Sequence, residues 1–234
     1  MPLFGARSPV EDRERLWIDK MLAWCLDEYG SEALEAEVVT PTPRFFPGRY
    51  QGTQEDAAGL VDLVRAHLRI DPAEIAVGFY DGRPPPRMPG AAGSAHSSVA
   101  GHYSVRSGLG VIAVALEDAP DPRRVVAVAA HELCHHKLLY RGTVAPDEQD
   151  HEPLTDLATV FFGLGVFTAN AAFTFSQSSR GWRRQQLGYI NQPMFGYALA
   201  RVAQMRGEDD PEWARHLETN PRGYFKQAAR YLRG

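Results

Sequence analysis

The chain has 234 residues, a length that suits one sizeable domain or two small ones and allows a substantial hydrophobic core. Hydrophobic residues make up 44% and charged residues 23%, both ordinary values for a soluble globular protein. The formal net charge of −4 gives no reason to expect a nucleic acid as a partner. The two cysteines, Cys25 and Cys134, are too few to form a disulfide framework.

The sequence predicts a cytoplasmic protein for which membrane association is not expected. Residues 1–20 carry scattered charges and no apolar segment of the kind a signal peptide needs. Residues 157–179 contain no charged side chain, but threonine, glycine and asparagine dilute their hydrophobicity. A membrane span needs roughly 20 predominantly apolar residues. We therefore interpret 157–179 as a buried central helix.

Two helices are predicted in the first third of the chain. Residues 11–29 alternate apolar and charged side chains with helical periodicity and end near Gly30. Residues 54–68 place Leu60, Val61 and Val64 on one side of a second helix. The stretch between them is rich in proline and glycine and is expected to form a loop.

A small β-sheet is expected to follow. The three candidate strands are residues 74–80, 101–106 and 109–116, the last two joined by a turn at Ser107-Gly108. Residues 83–98 contain four prolines and two glycines among small polar residues and predict a long loop. Loops of this length are often functional, so this loop is a candidate gate for a cleft.

The best-delimited helix follows the sheet. Asp121 is a suitable N-cap with Pro122 at the first helical position, and Arg141-Gly142 is a typical C-terminal signal. After Gly181 the chain is expected to be helical, with breaks near Pro193, 207–211 and 220–221. The fold class predicted is α+β, predominantly helical, with one domain over 1–234 and 182–234 as a possible helical subdomain.

The helix that starts at Pro122 contains an H-E-x-x-H motif, His131-Glu132-Leu133-Cys134-His135. Positions four apart differ by about 40° around a helix, so His131 and His135 share one face and can grip one Zn²⁺. Glu132 is then placed as the general base for a metal-activated water. Cys134 is interpreted as a small packing residue, and His136 points about 100° away from His135 and need not touch the metal.

A catalytic zinc needs a third protein ligand, and residues 151–156, HEPLTD, resemble the N-E-x-x-S-D signature of the gluzincins, the thermolysin-like clan. Glu152, Thr155 and Asp156 match its Glu, Ser and Asp. The resemblance implies a zincin-like fold, Glu152 as third zinc ligand and Asp156 as hydrogen-bond partner of His131. The apolar block that follows also resembles bacterial proteins of unassigned function that carry this motif.

The residues themselves leave the third ligand open. His151 stands where the clan has Asn, and Pro153 disfavours helical geometry at Glu152, which makes Glu152 a candidate N-cap. Asp156 and His151 therefore remain alternative ligands to Glu152. Asp156 is also well placed to accept the free N–H of a ligand histidine, a common arrangement at zinc sites.

The sequence as a whole predicts a zinc metallopeptidase, a hydrolase that holds one zinc ion and cleaves a peptide or protein substrate. A strand edge at 101–106 or 109–116 is the expected seat for an extended substrate. One alternative is a catalytically inactive metal-binding domain with a regulatory or interaction role. Another is a membrane-associated peptidase that uses residues 157–175 as a span. The sequence does not indicate an oligomeric state.

Overall fold

The fold is predominantly helical, with one small sheet, as predicted. The structure, a computed structural model, describes residues 6–82, 96–97, 101–140, 142–145, 150–178 and 190–234, with the backbone alone at 96–97 and 173–178. The described helices are α1 Asp12–Tyr29, α2 Ser31–Leu34, α3 Gln54–His67, α4 Pro122–Leu139, α5 His151–Phe161, α6 Gly165–Ser178, α7 Gln192–Met205 and α8 Thr219–Arg233. The strands are β1 Ile75–Tyr80, β2 His96–Ser97, β3 Gly101–Arg106 and β4 Leu109–Ala115.

The chain divides into two compact units. One is Pro41–His151 and contains α3, the sheet and α4, whereas the other joins Met1–Thr40 to Glu152–Gly234. The division falls after the first residue of α5. A single domain over 1–234, with 182–234 as a subdomain, stays a prediction.

The strand order in the sheet is β1-β4-β3-β2. Strand β1 runs parallel to β4, while β3 is antiparallel to both β4 and β2. All three predicted strands are confirmed to within one residue. Strand β2 lies inside the predicted loop 83–98, where its two residues pair with Tyr103 and His102 of β3. The rest of that loop lies outside the described residues.

The motif helix α4 begins as predicted. Asp121 caps it by accepting hydrogen bonds from the backbone N–H groups of Arg123 at 3.0 Å and Arg124 at 3.4 Å, with Pro122 in the first turn. Every residue from 125 to 136 is buried. The helix packs against α3 as well as against β3 and β4, which explains why it has no broad exposed face.

The uncharged segment 157–179 does not form the single helix that we predicted. Helix α5 ends at Phe161 and α6 starts at Gly165. Gly163 between them has φ +80°, a conformation that favours glycine, and a Cβ there would lie 2.8 Å from the Glu37 carbonyl oxygen. The Val39 N–H donates to the Gly163 carbonyl at 2.8 Å, so the break is held by a backbone contact.

Burial is confirmed for residues 157–169 of this segment, whereas residues 170–172 are partly exposed. Within the described part of the chain, no helix combines the length and hydrophobicity needed to cross a membrane.

The C-terminal helices start at the predicted breaks. Asn191 caps α7 by accepting from the Met194 N–H at 3.0 Å, and Pro193 lies in the first turn. Helix α7 ends before Gly207, which has φ +71°. Pro221 lies in the first turn of α8, where a missing N–H is tolerated.

Candidate metal centre

The two motif histidines lie side by side on α4. Their ring centroids are 4.7 Å apart with the planes at 87°, and their Nε2 atoms are 3.1 Å apart. Two nitrogens held at ordinary Zn–N lengths in a tetrahedral site are separated by about 3.3 Å. The spacing of His131 and His135 therefore suits joint coordination of one ion.

Glu152 joins these histidines. One ligand atom from each of His131, His135 and Glu152 lies within 4.8 Å of the other two, so the three residues can hold a metal ion. Helix α5 begins at His151, so Glu152 is a first-turn residue and not the N-cap that Pro153 had indicated. A proline in the first turn does not interrupt a helix, because the N–H it lacks would have no partner within the helix.

The two alternative ligands occupy other positions. The His151 ring lies 5.8 Å from the His135 ring, centroid to centroid, but His151 does not belong to the group of converging ligand atoms. Asp156 is buried, and its Oδ2 accepts a hydrogen bond from the Ile190 N–H at 3.1 Å. The contact between Asp156 and His131 that the gluzincin resemblance implies stays a prediction.

The donor set matches the chemistry of a catalytic metal site. Two imidazoles and one carboxylate leave a coordination position open, unlike the closed four-ligand sets of structural zinc. His131 is 7% exposed and His135 is 1% exposed, so an ion held by them would be largely shielded from bulk water. Cys134 is fully buried and lies outside the group, in keeping with a packing role.

Glu132 is buried beside the first residue of β3. Its side chain is 1% exposed. A Cβ placed on Gly101 would collide with its Oε1 and lie 2.8 Å from its Cγ. The Glu132 carboxylate therefore packs directly against the backbone of β3, and this strand adjoins the motif helix.

Tyr103 is a site neighbour that sequence reasoning missed. Its ring stacks parallel to that of His135, with centroids 6.1 Å apart, and meets the ring of His136 edge-on at 5.9 Å. Its hydroxyl lies 3.4 Å from His136 Nδ1. Burial raises the pKa of the Tyr103 phenol, which therefore stays neutral. The side chain packs against the candidate ligand His135 from the sheet side.

His136 has a structural environment, as predicted. It is 2% exposed, its ring stacks on Tyr140 with centroids 4.3 Å apart, and its Nε2 lies 3.7 Å from a Glu74 carboxylate oxygen. A Cβ on Gly110 would lie 2.5 Å from His136 Nδ1. These contacts fix the end of α4 that follows the two motif histidines.

The alternation of side chains along β3 and β4 could have predicted which residues contact α4. Gly101 and Tyr103 point to the same face of the sheet because side chains alternate along a strand. Gly110 shares that face, since its cross-strand partner is Val105. The sequence predicted the strands but did not show which face meets α4.

Tyr80 is the last residue of β1, and the charge of Glu132 contributes to the pKa of its phenol. Burial, together with the carboxylates of Asp118 and Glu132, raises the pKa of its phenol. Its buried hydroxyl has no hydrogen-bond partner among the described residues. Tyr80 is therefore a neutral group within electrostatic range of Glu132.

Comparison with known proteins gives no family assignment: no protein-family model, no curated protein and no solved structure matches the chain. The gluzincin resemblance therefore depends on residues 121–156 alone. The features of the chain that indicate a function are the convergence of His131, His135 and Glu152 and the burial of Glu132 beside them in sequence.

Proposed function

We propose that the protein is a zinc-dependent metallopeptidase in which His131, His135 and Glu152 hold one Zn²⁺ and Glu132 is the general base. The observation that carries the proposal is the convergence of two imidazoles and a carboxylate within 4.8 Å, with a second carboxylate next to a ligand in sequence. A purely structural site would favour four protein ligands and would have no need of Glu132.

Zinc is the metal we expect because mixed imidazole and carboxylate sets with three protein ligands are typical of catalytic zinc. When bound, Zn²⁺ would act as a Lewis acid and lower the pKa of water towards about 7. The remaining chemistry would be done by the chain itself.

The residue assigned to proton transfer is Glu132. Its carboxylate would take a proton from the attacking water and deliver it to the leaving amine, so that the peptide bond is cleaved without a free base from solvent. Burial of Glu132 to 1% exposure limits the exchange of its carboxylate with bulk water. Holding a catalytic base next to the reacting group supplies a large part of many enzymatic rate enhancements.

Metal content of purified variants tests the ligand set. Wild type should contain close to one equivalent of zinc by elemental mass spectrometry, and both His135→Ala and Glu152→Ala should lose most of it. His151→Ala is the matched control, because it removes the neighbouring histidine while leaving the proposed ligands in place. Full zinc retention in Glu152→Ala, or loss confined to His151→Ala, would contradict the assignment.

Cleavage of a peptide library tests catalysis. Wild type should cleave a subset of peptides, whereas Glu132→Gln should keep its zinc and lose activity by at least about 100-fold, the usual scale of general-base catalysis. Activity that survives in Glu132→Gln would contradict the mechanism. A zinc-loaded wild type that cleaves nothing would favour a non-catalytic metal-binding domain.

A further inference from the structure

Gly101 occupies its position for a reason other than backbone conformation. It is the first residue of β3 and pairs with Val114 of β4 in regular antiparallel register. Its φ lies outside the left-handed region, where eight other glycines of the described chain are found. The backbone at this position would accept any residue, so the requirement for glycine must come from the space around it.

That space is filled by α4. A Cβ on Gly101 would collide with Oε1 of Glu132 and would lie 2.8 Å from both Glu132 Cγ and Val128 Cγ1. Ordinary carbon contacts are about 3.5–4.0 Å. The position therefore lacks room for even one methyl group.

The two neighbours differ in how they can respond to a methyl group. Val128 is 1% exposed and β-branched, so one χ1 rotamer is strongly preferred in the helix. Glu132 has three side-chain torsions and carries its functional group at the far end. The easiest response is a rotation of Glu132 that moves its carboxylate away from β3.

We propose that Gly101 is a positioning residue for Glu132, because the absence of a side chain at the start of β3 leaves free the space that the Glu132 carboxylate occupies. The proposal deepens the proposed function, since it assumes that Glu132 acts as the general base. Gly101 itself need not touch substrate.

Crystal structures of the zinc-loaded full chain provide the direct test. Gly101→Ala should displace the Glu132 carboxylate by about 1 Å, the shortfall from ordinary van der Waals separation, while the three metal ligands stay in place. Gly78→Ala is the matched control in β1, because its Cβ would make an ordinary 3.7 Å contact with the Ile112 carbonyl. A Glu132 carboxylate that keeps its wild-type position in Gly101→Ala would overturn the proposal.

Thermal unfolding shows whether Glu132 or Val128 is displaced by a Cβ at position 101, and the measurement needs no substrate. Gly101→Ala should lower Tm by about 2–12 °C, because overpacking costs about 1–3 kcal/mol and each kcal/mol changes Tm by about 2–4 °C. The same substitution should cost much less in a Glu132→Ala background than in a Val128→Ala background. The proposal would be overturned if Gly101→Ala lowered Tm equally in wild type and in Glu132→Ala, and lowered it less only in Val128→Ala. If Gly101→Ala alone does not fold, restored folding in the Glu132→Ala background supports the proposal, and restored folding only in the Val128→Ala background overturns it.

Steady-state kinetics on any peptide that wild type cleaves distinguishes a displaced Glu132 carboxylate from a general disruption of the site. Gly101→Ala should lower kcat at least about tenfold with KM within about twofold, because a misplacement of about 1 Å can cost 100-fold in rate. A raised KM with unchanged kcat would contradict the proposal. Failure of the proposed function would appear separately, as a zinc-loaded wild type without activity, and the crystallographic test would still be readable.

Discussion

Addition of Zn²⁺ to metal-free protein should stabilise the fold, because the three proposed ligands converge only in the folded chain. The Nε2 atoms of His131 and His135 are already 3.1 Å apart, against about 3.3 Å for two ligands of a tetrahedral zinc. Each nitrogen therefore has to move by only about 0.1 Å. Little of the binding free energy is spent on rearranging α4.

The size of the effect follows from binding linkage. Free zinc at 100 times its Kd should add about 2.7 kcal/mol to the free energy of unfolding. A chain of this length gains about 2–4 °C in Tm per kcal/mol, so the expected rise is about 5–11 °C. A further tenfold increase in zinc should add roughly 1.4 kcal/mol more.

Differential scanning calorimetry of chelator-treated protein at several zinc concentrations measures this shift. Mg²⁺ is the matched cation control, because it prefers octahedral oxygen ligands and should leave Tm unchanged. His135→Ala and Glu152→Ala should abolish the zinc response, whereas His151→Ala should retain it. A wild-type Tm that does not respond to zinc, or an undiminished response in Glu152→Ala, would refute the reasoning.

Three further predictions concern stability and can be measured by chemical denaturation. Gly110→Ala should destabilise the protein by about 1–3 kcal/mol, because its Cβ would lie 2.5 Å from the buried ring of His136; an unchanged midpoint would contradict this. Gly59→Ala should stabilise by about 0.5–1 kcal/mol, since Gly59 lies in α3 with nothing within 4 Å of its Cβ, and a loss of stability would count against it. Tyr80→Phe should change stability by less than about 1 kcal/mol, because the hydroxyl it removes has no hydrogen-bond partner among the described residues, and a larger loss would reveal one.

Local signals were sufficient for much of the fold. Helices α1 and α3 follow from apolar periodicity, and α4 follows from Asp121, whose carboxylate does cap the helix. The pairing of His131 with His135 needs only the pitch of a helix. These features depend on residues close together in sequence, which is why the sequence predicts them well.

Features that depend on distant residues were missed or mistaken. The break between α5 and α6 needs Gly163 to approach the backbone at Glu37 and Val39, which no local pattern reveals. Strand β2 has two residues and exists through its pairing with β3. Glycine-rich and proline-rich sequence around it therefore indicated a loop.

The identity of the third ligand depends on both local and distant residues. The motif resemblance favoured Glu152, while Pro153 argued from local geometry that Glu152 would lie outside the helix. Helix α5 nevertheless starts at His151, so the proline occupies a position where it is tolerated. Only the folded chain shows that Glu152, and not His151 or Asp156, belongs to the converging group.

The β3–β4 hairpin links the sheet to the chemistry on α4. Its two-residue turn, Ser107-Gly108, has φ of 49° and 79°, the positive values that two-residue hairpins require, and this turn fixes the register of both strands. In that register Gly101 faces Glu132 and Tyr103 faces His135. A slip of one residue would turn both side-chain positions to the opposite face of the sheet. The position of the proposed general base thus depends on a turn that starts four residues after Tyr103, and substitutions in that turn should affect the site without touching it.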